Sequence, residues 1–113
     1  MDAGNPHGAT YAERLKEVLR THAAEFLARE AGGQSLITVT HAELSSDKKR
    51  AMIYITVLPE NKEEAAVGFA NRQIADFKSF LKERVRMHRI PHIDFAIDTG
   101  EKNRQRIDEL SRM

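Results

Sequence analysis

The chain has 113 residues, of which 31% are charged and 6% aromatic, with a formal net charge of +1 and no cysteine. That length suits one domain, burying about 65% of its unfolded surface around a single core without covalent staples. The composition excludes disulfides, thiolate metal sites and cysteine nucleophiles, a histone-like polycation, and any apolar run near the roughly 18 residues that span a bilayer. With no secretory segment after Met1, a soluble, cytoplasmic protein is expected. The small net charge conceals an asymmetry. Residues 1–70 carry 8 basic and 10 acidic side chains, whereas residues 71–113 carry 10 basic and 7 acidic ones.

Residues 1–9, with Gly4, Pro6 and Gly8, read as a flexible leader. Thr10-Tyr11-Ala12-Glu13 has capping-box spacing. Leu15, Val18, Leu19, His22, Phe26 and Leu27 then recur on one helical face, with Gly32-Gly33 expected to end the helix in a left-handed cap. Leu36–Glu43 and Ala51–Leu58 alternate as strands, the second placing Ile53, Ile55 and Val57 opposite Met52, Tyr54 and Thr56. The short polar connection Ser45–Arg50 favours an antiparallel hairpin. Pro59-Glu60-Asn61 closes the strand, with Asn61 expected to cap the next helix and Glu64 at its third position.

Residues 62–87 form the longest predicted helix, about 26 residues against a mean of about 11–12, so a bend is expected near Gly68 or Asn71. Ile74, Phe77, Leu81 and Val85 share its apolar face, and Lys78, Lys82, Arg86 and Arg89 form a basic stripe about 90° away. Pro91 forces Ile90 out of helical geometry. Ile93, Phe95 and Ile97 then alternate with Asp94, Ala96 and Asp98 as a half-buried strand. A polar turn at Thr99-Gly100 and a short amphipathic tail bearing Ile107 and Leu110 close the chain. The order α-β-β-α-(α)-β gives an α+β domain, a three-stranded sheet covered on one face by helices.

Several residues invite functional readings. The basic group Lys78, Lys82, Arg84, Arg86 and Arg89 suits phosphate contact, and equally suits an ordinary solvated helix face. Lys48-Lys49-Arg50 is a second basic knot that a solvated turn explains as well; Arg104 and Arg106 could extend the surface. His88 and His92 are four apart but separated by Pro91, with no third ligand nearby, so no metal site is expected and both could approach RNA. His22 reads as a packed structural residue. Asp94 and Asp98 share one side of a strand, where solvent-facing aspartates commonly guard an edge. Phe69, Phe77, Phe80 and Phe95 have the spacing of core residues rather than of a base-stacking platform. No nucleophile elbow or glycine-rich phosphate loop is present, so neither catalysis nor a cofactor is expected.

Arg86-Met87-His88-Arg89-Ile90-Pro91-His92-Ile93-Asp94-Phe95-Ala96-Ile97-Asp98 resembles the ribosome-binding factor A family in its basic helix end, proline and following strand. Ile37-Thr38-Val39-Thr40, Leu44-Ser45-Ser46-Asp47, the strand Ala51–Leu58, and Arg106-Ile107 with Leu110 add matches in the right order. The resemblance implies a single type II KH domain over residues 10–113. It implies a cytoplasmic, non-enzymatic factor that binds the immature small ribosomal subunit and its rRNA and promotes rRNA processing. It favours RNA contact through Lys78, Lys82, Arg84, Arg86, His88 and Arg89, with the basic knot Lys48, Lys49 and Arg50 as a further candidate contact; no membrane partner and a monomer off the ribosome are expected. Other readings are a stand-alone KH module for another structured RNA and a protein-interaction domain. The chain departs from the family pattern in having Gln73-Ile74-Ala75 where an Ala-x-Gly kink is expected, and it lacks the Gly-x-x-Gly loop of single-strand-clamping KH domains.

Overall fold

Thr10 accepts a hydrogen bond from the Glu13 amide at 3.1 Å while the Glu13 carboxylate accepts from the Thr10 amide at 2.9 Å, so the capping box forms as its spacing predicts. The computed structural model describes residues 10–31, 33, 35–87 and 89–100. The predicted leader over residues 1–9, and the tail with Arg104, Arg106, Ile107 and Leu110, lie outside them. Helix α1 spans Tyr11–Glu30 and buries Leu15, Leu19, Ala23, Phe26 and Leu27. It ends at Ala31, whose backbone is extended and whose amide donates to the Leu27 carbonyl. The helix thus stops immediately before the Gly32-Gly33 pair, and Gly32, the next position and the expected left-handed cap, lies outside the described residues.

Strand β1 (Leu36–Leu44) pairs antiparallel with β2 (Arg50–Leu58), with an irregularity between Val39 and His41 that leaves Thr40 as the extra residue. Such a bulge bends its strand and re-aims its side chains. Strand β3 (His92–Ile97) runs parallel to β2 on its other side, so β2 is central. Ala51, Ile53, Ile55 and Val57 alternate inward along β2, joined by Ile93 and Phe95 of β3. Burial on one face only is what the period-2 pattern requires.

The long predicted helix is in fact three pieces. A 3-10 turn covers Glu60–Lys62, helix α2 spans Glu63–Arg72, and helix α3 spans Ile74–Arg84. Asn61 therefore does not cap α2. The tight turn supplies its own bond, with the Lys62 amide donating to the Pro59 carbonyl at 3.0 Å. The bend falls at Gln73 (φ −95°, ψ 7°), C-terminal to Gly68 and Asn71 but within the Gln73-Ile74-Ala75 triplet where the family resemblance places its kink. Asn71 is instead a helical residue. Its side-chain amide donates to the Phe95 carbonyl at 3.2 Å and accepts from the Phe95 amide at 2.9 Å. These two bonds satisfy the outward-facing backbone of edge strand β3 and fix α2 against it.

Helix α3 also stops earlier than predicted, at Arg84, with Val85 already extended (φ −136°, ψ 137°). Val85, Met87 and Ile90 are partly buried against the core. Burying both Val85 and Met87 with Arg86 in water takes a two-residue period, which an extended chain supplies and a helix does not. The core is aromatic at its centre. Phe26 lies 5.3 Å from both Phe77 and Phe80, and Phe77 lies 6.0 Å from Phe95. Phe77 is fully buried, and Phe69 is only partly so. The order helix, antiparallel hairpin, bent helix pair and parallel third strand is that of a type II KH domain.

Candidate nucleic-acid interface

Two stretches that are far apart in sequence meet at one end of the sheet. The His92 amide donates to the Lys49 carbonyl at 2.9 Å, and Arg50 pairs with His92 in the β2–β3 ladder. The hairpin tip carrying Lys48, Lys49 and Arg50 therefore adjoins the start of β3, just after Arg89-Ile90-Pro91. The last turn of helix α3, which carries Lys82 and Arg84, leads into the same connection. Cations there also complement the carbonyl end of the helix, which is a structural role for them beside any ligand contact.

Beside α3 and the chain that follows it lies a cavity of about 780 Å³, lined by Lys78, Lys82, Val85, Arg86, Met87 and Ile90. Val85, Met87 and Ile90 present an apolar surface while their other sides pack on the core. Lys82 and Arg86 are exposed and Lys78 is half-buried. Among the described residues, none of these three cations forms an ion pair. The expected basic stripe thus loses its helical geometry, because Arg86 and Arg89 lie beyond the end of α3, yet Lys78, Lys82 and Arg86 still converge. Arg89 is exposed beyond them, and His88 lies outside the described residues.

Arg84 is turned away from this group. Its guanidinium carbon stands 3.8 Å from the Phe80 ring centroid, and its nitrogens lie 4.0 Å from Glu25 of α1 and 3.8 Å from Glu83. Stacking on an aromatic face and an acidic partner on α1 make it a brace between helices. The sequence reading missed Met87 and Ile90 as members of the site. The alternation Val85-Arg86-Met87 was the available signal, hidden by extending the helical period to residue 87.

At the hairpin tip Lys48 adopts φ 61°, in the left-handed region. The Asp47 carboxylate accepts from the Ser45 hydroxyl at 2.7 Å and from the Lys49 amide at 3.0 Å. The Ser45 hydroxyl, then the Lys49 amide, hold its carboxyl below the usual range. Lys48, Lys49 and Arg50 remain exposed around this fixed turn.

The other polar residues singled out have structural partners. His22 Nδ1 is 2.8 Å from the Val18 carbonyl, with its ring edge-on to Phe80. His92 lies 3.5 Å from Asp94. Asp98 is not the solvent-facing residue that alternation suggested: it is only 7% exposed. It accepts from the Thr40 hydroxyl at 2.6 Å and lies 3.4 Å from His41, which stacks on Tyr54 at 4.7 Å. The bulge at Thr40 brings β1 side chains within reach of the end of β3. Thr99 and Gly100 carry helical backbone rather than the expected open turn. Among the described residues no group of three or more histidines and carboxylates could hold a metal ion, and no helix is long and apolar enough to cross a membrane.

Comparison with known proteins places the chain among relatives. The profile described as Ribosome-binding factor A matches residues 11–111. A protein of that name from Thermodesulfovibrio yellowstonii is 32% identical over 88% of this chain and 86% of its own length. One from Fervidobacterium nodosum is also 32% identical, over 68% of this chain and 62% of its own length. The crystal structure of ribosome-binding factor A from Thermus thermophilus superposes with a TM-score of 0.68, at 27% identity, over 78% of this chain and 97% of that one.

Proposed function

This chain belongs to the ribosome-binding factor A family, and on that premise we propose that it binds the immature small ribosomal subunit and promotes maturation of its rRNA. The observation that carries this reading is the convergence of Lys78, Lys82 and Arg86, without acidic partners among the described residues, beside the hairpin bearing Lys48, Lys49 and Arg50. Unpaired cations grouped at one end of a small domain suit a polyphosphate chain, whose condensed counterions they displace. Arg89 extends the contact, and Arg84 supports it from behind by bracing α3 against α1. The action is stoichiometric, without turnover or cofactor: the protein binds, holds one rRNA conformation and leaves. It acts in the cytoplasm as one KH-like domain over residues 10–113, monomeric when off the ribosome.

Co-sedimentation with separated small and large subunits across a salt series tests this. Small-subunit binding should fall steeply with salt, and the folded Lys78→Glu, Lys82→Glu, Arg86→Glu variant, checked by circular dichroism, should lose it. Removing one contacting cation should reduce the logarithmic salt slope by about 0.7–0.9. Binding retained by the triple variant would remove these residues as the contact. Salt-insensitive association with a protein partner, and none with either subunit, would favour the protein-interaction reading instead.

A further inference from the structure

We propose that the groove beside α3 lined by Val85, Met87 and Ile90 takes an unpaired stretch of RNA, seating a base on these three side chains while Lys78, Lys82 and Arg86 hold the flanking phosphates. This rests on the RNA-contact reading above and goes beyond it by naming the form of RNA that fits. A duplex presents phosphates on its outside and keeps its bases stacked, so cations alone would serve it. This groove is more than a cationic patch: three partly buried apolar side chains line it together with the half-buried Lys78 and the exposed Lys82 and Arg86. Its volume of about 780 Å³ lies within the roughly 300–1,000 Å³ of cavities that enclose small organic ligands. A base splayed from its strand has an apolar face needing cover, and a methionine thioether packs well on such a ring. KH domains that clamp single strands do so at a glycine loop between the paired helices. That junction here is Gln73, whereas this groove lies at the opposite end of α3, so it owes nothing to that clamp.

The test uses the full chain and short oligoribonucleotides carrying 4-thiouridine or 2-aminopurine, either single-stranded or annealed to a complement. At one salt concentration the single strand should bind at least about tenfold tighter than the duplex. In the wild-type protein, photo-crosslinks read by mass spectrometry should fall on Val85, Met87 or Ile90. Met87→Ser should weaken single-strand binding about tenfold with an unchanged salt slope, and Lys82→Glu should reduce the slope. The crosslinks need no variant, so they decide the matter even if Met87→Ser unfolds. Equal or tighter duplex binding, or crosslinks confined to Lys48–Arg50, would overturn the proposal. Single-strand preference without subunit binding keeps this groove and removes the ribosomal reading; subunit binding without that preference does the reverse.

Discussion

Lys48 holds the one positive φ of a non-glycine residue among the described residues, 61° at the hairpin tip. A β-carbon in the left-handed region costs roughly 1 kcal/mol relative to glycine. Lys48→Gly should therefore raise the unfolding free energy in urea by about 0.5–1 kcal/mol; a fall would mean that the lysine side chain itself stabilises the turn. Its neighbour Asp47 supplies the pH dependence of this loop. Its folded carboxyl titrates below the ordinary 3.8, so its contribution is present above that value and is lost as pH falls through the folded midpoint. A carbon-detected NMR titration should find that midpoint below 3.8, and Ser45→Ala should move it back up. Asp98 shows what a single strand's pattern cannot convey. Alternation correctly assigned it to the face away from the helices, but its burial depends on the Thr40 bulge one strand beyond its neighbour, a long-range geometry with no local signature.

At the scale of elements, the sequence made the strands and the first helix legible because each is written in a short period with distinct ends. The hairpin faces follow the β-branched alternation, and α1 follows its capping box. The second half was read less well. Two helices and an extended segment all carry helix-compatible residues, and the choice among them rests on tertiary partners: Asn71 on Phe95, Val85 and Met87 on the core. Asn71→Ala should make this visible. It leaves the Phe95 amide and carbonyl without their side-chain partner, at a cost of about 1–3 kcal/mol. Hydrogen exchange at the Phe95 amide should accelerate more than at Ile53 in the central strand. Equal acceleration at both would show that the bonds support the whole fold rather than one edge. The same dependence explains why the basic residues were legible as a group and the groove was not. Charges cluster in sequence, whereas the apolar lining exists only once Val85, Met87 and Ile90 pack against the core beside α3.

For the whole molecule, β2 is the organising strand, antiparallel to β1 and parallel to β3. The first pairing closes across a turn between Leu44 and Arg50. The second must wait for the chain to travel from Leu58 to His92 through both helices. Nearby pairings form at lower entropic cost, so the hairpin with α1 is expected to precede the docking of β3 during folding. Stopped-flow kinetics of two matched substitutions report that order. Ile53→Val, removing about 0.5–1.5 kcal/mol of packing, should slow refolding, while Ile93→Val should chiefly hasten unfolding. The wall of the groove after α3 leads directly into β3, so it is fixed only at this last step. A chain caught between the two events already has its hairpin and first helix and has nowhere yet to hold a nucleotide.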